Sequence, residues 1–197
     1  MKRIVIAISS FTLFIFIAIN MLLGNLDSFD NFIFNLAHSM NGAFFDIFFR
    51  IITNAGNVTF LIGLSIVLML YFKKDKFRHW IGFNLIWAGI LSQVLKFMFL
   101  RERPDILEVE RGGYSFPSAH SLLAFAFYGL LIYLINTKTN WSKQIKWLVN
   151  IGLGLLILLV GISRVYLGYH FASDVIAAFL IALAYLSIFI LIIERKE

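Results

Sequence analysis

Six long apolar runs, separated by short polar stretches, set the pattern of this chain. Ile4–Leu23, Val58–Phe72, Trp80–Leu100, Ser118–Ile135, Trp147–Ile162 and Phe171–Ile193 each carry at most one charged residue. A helix crossing a bilayer core of about 30 Å needs about 20 predominantly apolar residues, so runs of this kind predict membrane spans. The expected fold is all-α, a six-helix transmembrane bundle forming a single domain over residues 1–197. The first run follows Met1-Lys2-Arg3 and lacks a small-x-small cleavage signature, which favours an uncleaved first span over a signal peptide.

Between spans one and two, residues 28–57 are too interrupted to cross a bilayer. Phe29, Phe32, Ile33, Leu36 and Met40 nevertheless recur at helical spacing, followed by Phe44, Phe45, Phe48 and Ile52. Asn41-Gly42 is expected to break this short segment into two interfacial helices. Such helices serve either as a lid on the outer end of the bundle or as a surface that guides lipid.

Composition agrees with a membrane chain. Of 197 residues, 60% are hydrophobic and 14% charged, which leaves no room for a second domain. The formal charge of +6 would suggest nucleic acid in a soluble protein, but in a membrane protein the position of each charge matters more than the sum. Six spans put eleven of the 17 basic residues on the side of the N-terminus: Lys2, Arg3, the Lys73–Arg78 group, Lys138, Lys143, Lys146, Arg195 and Lys196. The positive-inside rule then makes both termini of this multi-pass cell-membrane protein cytoplasmic. Arg50, Lys96, Arg101, Arg103, Arg111 and Arg164 face outward against that rule, in the company of most of the acidic residues. Cysteine is absent, which excludes disulfides, thiolate metal sites and thiol nucleophiles.

Three clusters of candidate residues lie within residues 96–174, and they hold three of the outward cations, Lys96, Arg103 and Arg164. Lys96 and Arg103 are seven residues apart near the end of the third span, so a continuing helix would put both on one face, with Pro104 stopping it. Snorkelling to the interface would explain the same pair. Pro117-Ser118-Ala119-His120 opens the fourth span, where Pro suits a first helical turn and the N–H groups of Ser118, Ala119 and His120 would converge on an anion. An ordinary Pro/Ser helix start is the plainer alternative. Arg164 ends the fifth span, and His170 and Asp174, four apart at the start of the sixth, place a carboxylate within reach of an imidazole. A structural His–Asp tether would look the same. All three clusters fall on one side of the topology deduced from loop charge, and together they offer a nucleophile, an acid and cations suited to phosphoryl transfer.

Lys96-(x6)-Arg103-Pro104, Pro117-Ser118-Ala119-His120 and Ser163-Arg164-(x5)-His170-(x3)-Asp174 resemble the three signature motifs of the type 2 phosphatidic acid phosphatase family of membrane lipid phosphatases. The resemblance runs from about Asn54 to Ile193, and its small six-span form is similar to bacterial phosphatidylglycerophosphate and undecaprenyl diphosphate phosphatases. It departs at Ala119, where the family often has Gly; one extra methyl implies reduced room. The resemblance implies His170 as the nucleophile forming a phosphohistidine, Asp174 as its orienting carboxylate and His120 as the acid and later base. It implies Lys96, Arg103, Arg164 and the N–H groups near Ser118 and Ala119 as the phosphate-binding set.

No cofactor and no metal are expected, nor an obligate protein partner or nucleic acid; the partners are a lipid phosphate and the bilayer. His38 and His79 lie away from the motifs. A non-catalytic lipid-binding protein would have lost one of His120, His170 and Asp174, and a transporter would place its polar groups near mid-membrane. An outward site favours undecaprenyl diphosphate slightly over phosphatidylglycerophosphate, with Arg101 or Arg111 expected near a second phosphate.

Overall fold

Helices dominate because apolar stretches destined for lipid must satisfy every backbone hydrogen bond within themselves. The computed structural model of the protein describes residues 1–40, 42–73, 77–104 and 112–196. Among them it contains α1 (Lys2–Leu22), α2 (Asp27–His38), α3 (Ala43–Thr53), α4 (Val58–Tyr71), α5 (Arg78–Phe99), α6 (Ala119–Lys138), α7 (Lys143–Tyr166) and α8 (Ala172–Lys196). Five helices, α1 and α5 to α8, are long and apolar enough to cross a membrane; α3 and α4, bent by 56° at their junction, would make a sixth crossing if they form one broken span.

That junction revises the second span. The expected span at Val58–Phe72 appears as α4, whose 14 residues rise only about 21 Å. It is too short alone, and a single 3₁₀ turn, Asn54–Gly56, joins it to α3. Asn57 fixes the bend by capping α4, its side chain accepting the Thr59 N–H at 2.8 Å. So α3, expected as a separate interfacial helix, continues into the next one. The break between α2 and α3 falls where expected, at Ser39–Gly42, although Asn41 itself lies outside the described residues.

The α2 helix also turns differently from the expected lid. Phe29, Phe32 and Leu36 remain exposed, while its buried side chains are Asp30 and Ala37. The inward stripe is thus one position away from the most hydrophobic one, and it carries a carboxylate.

The core forms around α6, which packs against α5, α7 and α8, and α1 lies along α8. Leu122, Phe127 and Leu130 of α6 are fully buried, whereas α1 turns Phe11 and Phe16 outward as a lipid-facing helix would. Its inward Phe14 stacks on Phe116 with ring centroids 5.8 Å apart and meets Phe99 edge-on at 6.0 Å. One end of the bundle gathers basic residues: Arg3 pairs with Glu194 at 2.7 Å, Lys146 donates to the Asn136 carbonyl and Lys196 lies over Trp80. At the other end the C-termini of α5 and α7 meet the N-termini of α6 and α8.

Two backbone features shape that second end. Leu100 adopts φ 52°, ending α5 at Phe99 and turning the chain into the irregular stretch Arg101–Pro104. Gly168, at φ 67°, closes the last turn of α7 in a conformation that glycine takes without steric penalty.

The 3₁₀ turn packs against α6 and α7 so closely that a Cβ on Gly56 would lie 2.6 Å from Val160 Cγ1 and 3.0 Å from the His120 carbonyl oxygen. Gly56→Ala therefore has to push on Val160 of α7 and crowds the first turn of α6. We expect a loss of about 1–3 kcal/mol, read as a lower apparent unfolding temperature of the detergent-solubilised protein, together with reduced turnover. An unchanged unfolding temperature would show that the turn yields freely.

Candidate active site

Four helix ends deliver the predicted residues to one cavity of about 390 Å³, lined by Lys96, Arg103, Ala119, His120, Arg164 and His170. The lining also includes Gln93 and Phe97 of α5, which the sequence reading did not single out and which also line an apolar groove between α4 and α5. Among the described residues no group of three or more His, Asp or Glu side chains is arranged to hold a metal ion.

Lys96 and Arg103 converge by a route other than the one expected. A helix through Arg103 would have stacked them two turns apart, but α5 stops at Phe99 and Arg103 arrives on the irregular segment beyond Leu100. Lys96, still on the helix and buried, donates to the carbonyls of Tyr114 and Ser115. Arg103 donates to the carbonyls of Gly113 at 3.2 Å and Tyr169 at 2.9 Å. Both cations therefore brace the loop that closes the cavity as well as charging it.

The fourth-span helix starts two residues later than its proline suggested. Pro117 precedes the cap residue Ser118, and α6 begins at Ala119. The Ser118 N–H is already engaged, donating to the Asp174 carbonyl at 3.2 Å, and its hydroxyl pairs with that of Ser121 at 2.9 Å. Ser118 thus stands behind the cavity wall, tying α6 to α8, while Ala119 and His120 face the cavity.

Arg164 is buried at the end of α7. Its Nη1 donates to Thr53 Oγ1 at 2.7 Å, and its guanidinium stacks over the Tyr169 ring at 4.3 Å. The bend that carries Thr53 also positions Gly56 against His120, so the α3–α4 junction supports two site residues.

His170 sits just before α8 rather than on it, yet the contact expected from the i, i+4 spacing is present: Nδ1 lies 3.3 Å from Asp174 Oδ2. The same oxygen accepts the Phe171 N–H at 3.0 Å, so Asp174 caps its own helix while facing the imidazole. On the opposite edge of the ring, Arg103 Nη1 lies 3.4 Å from Nε2. A guanidinium can only donate and a carboxylate can only accept, so these neighbours select one tautomer: the proton is on Nδ1 and the lone pair of Nε2 faces the cavity. Burial pushes the His170 pKa down, to about 4, outweighing the opposing pull of Asp174, so the ring is neutral at pH 7.

Two further residues complete the site. Arg101, expected near a second phosphate, instead donates to Asp174 Oδ1 at 2.6 Å and to Asp30 Oδ2 at 2.8 Å, with its guanidinium 4.0 Å over Phe171. Its charge is spent on carboxylates because two of them converge there. Asp30 comes from α2, 71 residues away in sequence, and only its inward position on an aromatic helix could have hinted at a role. Arg111, the other expected contact, lies outside the described residues. His38 stacks on Phe34, and His79 accepts a hydrogen bond from Arg78, both away from the cavity.

A family model described as the PAP2 superfamily matches residues 79–197. The chain belongs to the PAP2 superfamily. It is similar to phosphatidylglycerophosphatase B of Bacillus subtilis, 34% identical over 140 residues that make up 67% of each chain. Similarity also extends to an undecaprenyl-diphosphatase of Sulfolobus acidocaldarius, 28% identical over 61% of this chain and 57% of that one. The crystal structure of a transmembrane PAP2-type phosphatidylglycerolphosphate phosphatase from Bacillus subtilis superposes with a TM-score of 0.89, covering 97% of both chains at 28% identity. The all-helical fold is thus that of a multi-pass membrane PAP2 phosphatase, and the chain is an enzyme.

The state of His170 has a direct consequence for pH dependence. If His170 is the attacking group it must be neutral, so kcat/KM, corrected for substrate ionisation, should hold as pH falls through the ordinary histidine range and drop only near pH 4, measured within the range where the protein stays folded. An acid limb centred at about 6.5, the value of an unperturbed histidine, would contradict the buried, neutral assignment.

Proposed function

We propose that this PAP2 enzyme removes the terminal phosphate of a membrane lipid phosphate through a phosphohistidine on His170. The observation that carries the reading is the tautomer: a donor-only Arg103 and an acceptor-only Asp174 grip opposite edges of one imidazole. In the first step Nε2 bonds to phosphorus, the bond from phosphorus to the lipid oxygen breaks, and His120 protonates that oxygen. Water then attacks phosphorus, the bond to Nε2 breaks, and His120 takes up the proton as inorganic phosphate leaves. Lys96, Arg103 and Arg164, with the first N–H groups of α6, hold the phosphoryl oxygens. Because these cations balance the developing charge, the mechanism needs no metal.

In this reading α3 through α4 counts as one broken span, giving six crossings, with both termini cytoplasmic and the site at the outer face. The gathering of Arg3, Lys146 and Lys196 at the end opposite the cavity supports that orientation. A reporter fused after Glu197 should therefore read cytoplasmic.

With Arg101 committed to Asp30 and Asp174, the charge argument for a diphosphate loses its main support. Three cations in the cavity match one phosphoryl group. We therefore place phosphatidylglycerophosphate ahead of undecaprenyl diphosphate, reversing the order expected from access alone. Resemblance to the Bacillus subtilis phosphatidylglycerophosphatase favours the same order.

The reading is tested by phosphate release from both lipids in one detergent. His170→Asn and His120→Asn should each remove at least about 99% of turnover in folded protein, about 2.7 kcal/mol or more of barrier, and Asp174→Asn should lose less. Chelator should leave the wild-type rate intact. More than about a tenth of the rate after His170→Asn would remove the nucleophile assignment, and a tenfold preference for undecaprenyl diphosphate would overturn the substrate order.

A further inference from the structure

Asp30 is nearly fully buried at 2% exposure, although it comes from a helix whose apolar residues are largely exposed. Its Oδ1 accepts the Ser173 N–H at 2.8 Å, and its Oδ2 accepts the Ser173 hydroxyl at 2.6 Å and Arg101 Nη2 at 2.8 Å. The other Arg101 nitrogen reaches Asp174 Oδ1 at 2.6 Å and Ser173 Oγ at 2.8 Å. Asp174 thus has one oxygen on Arg101 and the other on Phe171 and His170. Burying a carboxylate costs free energy that its own ion pair rarely returns as stability, so a buried acid on α2 asks for a reason beyond anchoring the helix.

Charge balance gives one. Arg101 and Asp174 alone would neutralise each other, and the positive charge that His170 acquires on phosphorylation would be left without a buried partner. With Asp30 included, the group of Asp30, Arg101, Asp174 and neutral His170 carries one net negative charge before attack and none after it. We propose that Asp30 is a positioning residue that takes up the charge of Arg101, leaving the charge of Asp174 to stabilise the His170 imidazolium. The interfacial helix α2 thereby becomes part of the catalytic apparatus. This inference rests on the His170–Asp174 reading above.

The test is a double-mutant cycle on the purified full chain, with phosphatidylglycerophosphate in detergent micelles as the probe. Asp30→Asn keeps the side chain's shape and should lower kcat about 10- to 100-fold with KM changed less than about threefold. In an Asp174→Asn background the same change should cost less than about threefold, because the group through which it acts is already gone. Ser173→Ala, which keeps both carboxylates and Arg101, should cost less than about threefold in either background. Neutralising both partners, Asp30→Asn with Arg101→Gln, should retain kcat within about tenfold of wild type, and this variant serves where Asp30→Asn alone does not fold.

Equal loses from Asp30→Asn in both backgrounds, or a doubly neutral variant as slow as Asp174→Asn, would overturn the proposal and leave Asp30 as an anchor only. If Asp174→Asn itself left kcat unchanged, the underlying nucleophile reading would fall and this inference with it.

Discussion

One imidazole, held between a guanidinium and a carboxylate, is what the cavity end of the bundle depends on. His170 has to be neutral, carry its proton on Nδ1 and present Nε2 to the cavity. Arg103 and Asp174 impose the tautomer from opposite edges, and burial imposes the neutrality. Neither alone is sufficient. A buried ring without these partners could adopt either tautomer, and an exposed ring beside Asp174 would protonate within the physiological range.

Much of the fold serves to keep that arrangement dry and in register. The Leu100 turn swings Arg103 off the end of α5 and over His170, while Gly168 ends α7 so that Tyr169 and His170 can fold back onto the Arg164 carbonyl. The backbone bond from Ser118 to Asp174 ties α6 to α8, so the segment carrying His120 is fixed to the helix that carries Asp174. Helix α1 contributes Phe14, which packs under the loop at Phe116. At the cavity end Arg101, Arg103, Asp30 and Asp174 are each engaged by neighbours from other elements, which offsets the cost of burying them.

Five of the spans and the contact between His170 and Asp174 were legible because they depend on local rules: apolar run length, and the four-residue spacing that brings Asp174 to His170. The Lys96–Arg103 pairing was read correctly as convergence but for the wrong geometric reason. Nothing in the sequence marks Leu100 as a residue that would adopt a left-handed conformation and end the helix early. Ser118 shows the same limit, since its N–H looked available for an anion and is used by a carbonyl 56 residues away. Asp30 was missed and Arg101 misread because their meaning lies in contacts spanning 71 and 73 residues, which periodicity cannot reveal. The inward stripe of α2 was hidden by its own aromatics, which the bilayer tolerates facing out.

The central claim is that phosphorus is bonded to His170 Nε2 during turnover, and rapid quenching tests it most directly. Enzyme mixed with phosphatidylglycerophosphate labelled in its terminal phosphate would be quenched in base within the first turnover and digested. The account predicts label that is stable in base, labile in acid and confined to the peptide containing His170, appearing no later than the first released phosphate. Free phosphate appearing at the wild-type rate with no labelled protein at any time, or with label on another residue, would contradict it.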